Sequence, residues 1–177
     1  MKMAFLHGLD SSPGGTKAVL LKERYPDIII PELPPDVEER LKIVEKVFSE
    51  PLLLIGSSLG GLTALLYSMR HPDMVKAMVL LAPAVGTFDD RILTAKQRKG
   101  LDSVYVPAGI RTTIIAGIHD EVIPLAAIRE MVARSPEPEN IAFHEVDDDH
   151  NLHRHLDLMI SCIDLEFERQ RIEDAPV

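Results

Sequence analysis

The chain has 177 residues, 46% of them hydrophobic, with a formal net charge of −9 and a pI near 5.2. That length and apolar share suit one domain, residues 1–177, with a packed core, and exclude a disordered chain. The acidic balance, with Lys96-Gln97-Arg98-Lys99 the densest basic stretch, argues against nucleic acid or anionic membrane as a partner.

Short apolar runs alternate with longer amphipathic segments. Met3-Ala4-Phe5-Leu6 reads as a first strand, followed by a loop over residues 7–15 and a helix from Thr16 to Arg24. Asp27-Ile28-Ile29-Ile30 reads as a second strand, closed by Pro31. Beyond Pro34-Pro35, Asp36 is placed to cap a helix in which Val37, Leu41, Val44 and Phe48 recur at helical spacing, with acids and lysines between. Leu52 to Ile55 is the third strand. It leads into a helix from Leu59 to about Arg70, stopped by His71-Pro72. Met78 to Leu81, Thr112 to Ala116 and Ile141 to Val146 complete the strands. A helix from Leu125 to Arg134 lies between the last two, and a final helix runs from Leu152 to Gln170. Strands apolar on both faces, separated by helix-sized segments, imply an α/β fold. Its sheet has about six mainly parallel strands and is covered by helices on both faces, giving three layers. Residues 84–111 are a long connection without helix or strand rhythm, and are expected to form a small cap or insertion over a site.

The chemistry concentrates at Gly56-Ser57-Ser58-Leu59-Gly60, which reads Gly-x-Ser-x-Gly between an apolar strand and a helix. A serine at the tip of such a strand-to-helix turn projects its hydroxyl out of the sheet, and the flanking glycines let strand and helix approach closely. A serine hydroxyl needs a base, and the base needs an orienting carboxylate. In an open parallel sheet these collect beyond the carboxyl ends of strands. Asp120 stands just past the fifth strand and His150 just past the sixth, so the chain order is Ser58, Asp120, His150. The backbone N–H groups of Leu59 and Leu9 are placed to form an oxyanion site, the second lying in a His7-Gly8-Leu9 loop at the end of the first strand.

These residues resemble the α/β-hydrolase superfamily, and within it a small bacterial-type serine esterase family. The resemblance rests on Phe5-Leu6-His7-Gly8-Leu9-Asp10-Ser11-Ser12-Pro13, Lys17-Ala18, Gly56-Ser57-Ser58-Leu59-Gly60-Gly61, Leu81-Ala82-Pro83-Ala84-Val85, Asp120-Glu121-Val122 and His150. It covers nearly the whole chain and implies Ser58 as nucleophile, Asp120 as acid and His150 as base, without a cofactor. The superfamily's first two strands are missing. Residues 84–111 are shorter than that family's cap region, and Asp147-Asp148-Asp149 replaces a glycine-rich approach to the histidine.

Each choice has a blander rival. Ser58 could be a helix N-terminal serine, Asp120 a helix cap, and Cys162 a core residue. Asp147, Asp149 and Glu121 are competing acids. His7 is structural or pocket-lining, and His153 and His155 belong to the solvent side of the last helix. The cluster from Asp147 to His155 could hold a metal, although its spacing fits no tight zinc template. The expected function is hydrolysis of carboxylic esters of small or short-chain acids through an acyl-enzyme. Val85, Phe88, Val122 and Leu152 are the candidate acyl-pocket residues. An acyl thioester uses the same machinery, and a non-catalytic binding protein of the same fold is the reading from a different class. A single cysteine excludes an intrachain disulfide. With no leader-like segment and no long apolar run, the expectation is a cytoplasmic protein without a membrane span.

Overall fold

Five runs in which apolar residues predominate lie side by side in the computed structural model, which describes residues 2–86 and 103–173. They are β1 (Lys2–Leu6), β2 (Leu52–Ser57), β3 (Val75–Leu81), β4 (Arg111–Gly117) and β5 (Ile141–Val146). Spatial order follows chain order, and every pair is parallel. Helices α1 (Thr16–Arg24), α2 (Val37–Val47), α3 (Leu59–Arg70), α4 (Leu125–Arg134) and α5 (Leu156–Glu173) cover the sheet.

The period-two geometry of a strand divides the interior into two cores. Leu52 and Leu54 of β2 face one side, where they meet Leu41 and Val44 of α2, Leu62 and Leu65 of α3, and Ile128 and Met131 of α4. Leu53 and Ile55 face the other, with Ala18 and Leu21 of α1 and Met159 and Ile163 of α5. All residues of β2 are buried, as a central strand covered on both faces requires. Asp36 caps α2 as its position implied, its carboxylate accepting the Glu39 N–H at 2.9 Å.

Two elements differ from expectation. The segment Asp27–Ile30 forms no full strand. Only Ile29 pairs with β1, through Ile29 N–H to Met3 O and Phe5 N–H to Ile29 O, both 2.9 Å. Pro31 has no N–H to continue the ladder, so the sixth strand reduces to an isolated bridge at the edge. The last helix starts at Leu156, not Leu152. Leu152 adopts a left-handed conformation (φ 53°) and His153–His155 form a 3₁₀ turn before the helix. Most of the expected cap, residues 87–102, lies outside the described residues. Among the described residues, no helix is long and apolar enough to cross a membrane.

The connection after β1 carries α1 over one face toward Ile29, while the connection after β2 carries α3 over the other face toward β3. Loops that leave neighbouring strands in opposite directions open a crevice at their carboxyl ends, the usual ligand position in open α/β sheets.

Candidate active site

Ser58 stands at that crevice, between the end of β2 and the first turn of α3, with φ 53° and ψ −119°. This backbone is costly for a residue with a Cβ and persists where the surroundings over-determine it. Here they do. The Ser58 N–H donates to Leu81 O at 2.9 Å, and Ser58 O accepts the Ala84 N–H at 3.0 Å. The two flanking glycines have a steric reason. A Cβ at Gly56 would lie 2.6 Å from the Gly60 carbonyl oxygen, and one at Gly60 would collide with the Leu6 carbonyl.

The three expected partners converge across the sheet. His150 Nε2 lies 3.0 Å from Ser58 Oγ, and His150 Nδ1 lies 2.8 Å from Asp120 Oδ2. A carboxylate only accepts, so the imidazole proton sits on Nδ1 and Nε2 is left to accept the serine hydroxyl. The other Asp120 oxygen accepts the Val122 and Ile123 N–H groups, each at 2.8 Å. Burial pushes the Asp120 carboxyl upward, but the His150 contact and these two N–H groups outweigh it and hold the group below the usual carboxylate range. Its side chain is 1% exposed, against 19% for His150. Asp120 thus anchors the loop after β4 and contacts the imidazole as well.

His150 is carried by a loop with its own framework. Asp148, buried, accepts the Asp149 N–H, the Arg154 N–H and the His155 ring Nδ1, each at 2.9 Å. Those contacts overcome burial and hold its carboxyl low. His155 therefore turns inward to Asp148 instead of lying on the solvent face of a helix. Lys17 Nζ donates to Asn151 O at 2.6 Å, tying α1 to the same loop, and burial pulls its ammonium pKa down. Asp147 pairs with the exposed His119 at 2.9 Å, and Asp149 Oδ1 accepts the Asn151 N–H at 2.7 Å. The aspartates therefore face different partners, and among the described residues no group of three His, Cys, Asp or Glu side chains gathers as a metal site.

Facing Ser58 is the loop after β1. Gly8 lies against the serine, where a Cβ would be 3.3 Å from Ser58 Cβ. Leu9 and Leu59 both line the cavity that contains Ser58 and His150. The buried His7 ring accepts the Leu33 N–H at Nε2 (3.2 Å), so its proton is on Nδ1 and is donated to Gly8 O (2.8 Å). Burial pulls the His7 pKa down, which favours this neutral form.

The acyl-pocket candidates separate. Val122 lines the cavity and is 58% exposed. Val85 is packed in the core beneath α3, and Leu152 in the core beneath α5. Phe88 lies outside the described residues. The cavity instead extends along Ser11, Ser12, Gly14, Gly15 and Lys17. Small residues run through that stretch of the sequence, and their density was the available signal for a groove wall. Cys162 is buried in α5 and burial raises its thiol pKa, as for a core residue.

Solved structures share this architecture. Alpha/beta hydrolase domain-containing protein 10 from mouse superposes with a TM-score of 0.78 at 20% identity, over 96% of this chain and 90% of that one. Est1E from Butyrivibrio proteoclasticus superposes with a TM-score of 0.69 at 18% identity, over 97% and 88% of the two chains. The chloroplastic pheophytinase of Arabidopsis thaliana is 40% identical over 55 residues, a stretch that spans 30% of this chain and only 11% of that protein. These likenesses and the parallel sheet describe an α/β-hydrolase fold. Residues 2–162 match the model of the uncharacterised protein family UPF0227, and the chain belongs to that family.

Proposed function

We propose that this protein is a serine hydrolase that cleaves carboxylic esters of small or short-chain acids. One observation carries the reading. Asp120, His150 and Ser58 form a continuous hydrogen-bonded chain that ends at a serine on a strained strand-to-helix turn. In this reaction Ser58 Oγ attacks the acyl carbon while His150 Nε2 takes its proton. Asp120 holds the imidazole by Nδ1 and stabilises the imidazolium. The tetrahedral oxyanion is met by the Leu59 and Leu9 N–H groups, the first of them at the N-terminus of α3, where the helix dipole favours negative charge. His150 protonates the departing alcohol. Water, deprotonated by the same imidazole, then attacks the acyl-enzyme, releases the acid and restores Ser58. No cofactor enters this sequence. The wide cavity floored by small polar residues suits small ester substrates in the aqueous phase.

Labelling with a fluorophosphonate, followed by peptide mass spectrometry, tests the reading alongside a panel of acyl esters and thioesters. The expected result is an adduct on Ser58 and ester turnover, both lost in Ser58→Ala and strongly slowed in Asp120→Asn and His150→Ala. A folded wild-type protein that takes no label and turns over no ester would overturn it and favour a binding protein of the same fold.

A further inference from the structure

The backbone of residues 7–9 can assist an oxyanion only if its N–H groups face Ser58. Their direction is set from behind by a side chain outside the proposed triad. Arg40 of α2 is fully buried (0% exposed), and among the described residues its hydrogen bonds go to backbone carbonyls. Its Nε donates to Pro34 O at 2.6 Å, Nη1 to His7 O at 2.8 Å and Nη2 to Gly8 O at 3.2 Å. The Gly8 carbonyl is held a second time, by His7 Nδ1 at 2.8 Å.

In a trans peptide the carbonyl and the N–H of the next residue point in opposite directions, and no described peptide bond is cis. Pinning His7 O and Gly8 O to one guanidinium therefore turns the Gly8 and Leu9 N–H groups to the opposite side together. Two successive N–H groups on one side make a small anion-binding concavity. That side is the cavity, because Gly8 packs on Ser58 and Leu9 lines the same cavity as Ser58, while Arg40 lies beneath in the protein interior. A rotated Gly8–Leu9 peptide would instead present a carbonyl to the developing negative charge.

We propose that Arg40 is a positioning residue whose fork, by holding the His7 and Gly8 carbonyls, aims the Leu9 N–H at the oxyanion position beside Ser58. The inference rests on the serine-hydrolase reading above. It also explains a buried guanidinium whose hydrogen-bond partners among the described residues are backbone carbonyls. The fixed, planar geometry of five donors suits several carbonyls at once, which a lysine ammonium cannot reproduce.

The test compares wild type, Arg40→Met, Arg40→Lys and Ser58→Ala, each first shown to be folded by circular dichroism and thermal melting. Two quantities are read: kcat and KM for p-nitrophenyl acetate, and Kd for phenylboronic acid. The boronic acid adds to the serine as a tetrahedral anion and so samples the oxyanion site. The expectation for Arg40→Met is a fall in kcat of about 10²–10³-fold, the loss typical of one oxyanion donor, with a similar rise in boronate Kd and little change in KM. Arg40→Lys should recover part of both. A folded Arg40→Met with kcat and boronate Kd within about threefold of wild type overturns the proposal while leaving the hydrolase reading intact. If Arg40→Met does not fold, the same criterion applies to Arg40→Lys. If wild type itself is inactive on every ester, the hydrolase reading fails first. A crystal structure of Arg40→Lys then decides the positioning claim: a turned Gly8–Leu9 peptide supports it, and an unchanged one overturns it.

Discussion

Two loops reach Ser58, one from β1 and one from β5 at the two ends of the strand order, and each is braced by a buried charge of opposite sign. Behind the loop after β1, the Arg40 guanidinium gathers carbonyls. Behind the loop after β5, the Asp148 carboxylate gathers two backbone N–H groups and the His155 ring. A cation that collects carbonyls leaves N–H groups for the cavity, which suits a site that must meet an anion. An anion that collects N–H groups fixes a loop whose contribution is a side chain, His150. The costs also differ. Burial pulls the Arg40 pKa down to about 10, whereas Asp148 has enough donors to stay below the usual carboxylate range.

The largest expected effect removes the point where the two loops meet. Ser58→Ala should lower kcat by about 10⁴-fold or more while the protein stays folded, read by ester hydrolysis and circular dichroism. Next, the two braces should separate kinetically. Arg40→Met acts on the oxyanion step as described above. Asp148→Asn should cost about 1–3 kcal/mol in urea unfolding, because it weakens hydrogen bonds to a charged group. Its loss in kcat should be smaller, about 10-fold, through a displaced His150. Equal losses of activity in the two variants would mean that the sign of the buried charge has no bearing on catalysis.

Acid should loosen the braces in different windows. The folded-state pKa of His7 is lowered, so its neutral form contributes stability that is fully present above the ordinary value of about 6.5. That contribution is lost as pH falls through the depressed value. Asp120 and Asp148 are also depressed, so theirs is present above the ordinary carboxylate value of about 3.9 and is lost only in stronger acid. Melting temperature measured from pH 8 downward should therefore fall first through the His7 window, and His7→Gln should flatten that part of the profile. The smallest effect is expected from Lys17→Met, which unties α1 from the Asn151 carbonyl. A few-fold drop in kcat with little change in melting temperature would fit a tether that only trims the position of His150.

Much of this was visible in local patterns. The bounds of α1 and α3, the cap at Asp36 and the order Ser58, Asp120, His150 all follow from residue spacing, turn chemistry and strand ends. Arg40 was not visible. It sits among acids and lysines in an amphipathic helix, where a charged residue reads as part of a solvated face, yet docking against residues 7–8 and 34 buries it completely. Val85 and Leu152 failed as pocket candidates for the converse reason. Apolar residues beside a site fit either a core or a cavity wall, and only packing distinguishes the two.

Periodicity and the Gly-x-Ser-x-Gly turn, which act over a few residues, determined the layered fold and the nucleophile candidate. The pairing of Ser58 with His150, 92 residues apart, and of Arg40 with His7, 33 apart, was decided by the fold. So was the reduction of Asp27–Ile30 to a single bridge. Each depends on which groups the packing of sheet and helices brings within reach of one another. That is a property of the assembled layers and of no single segment.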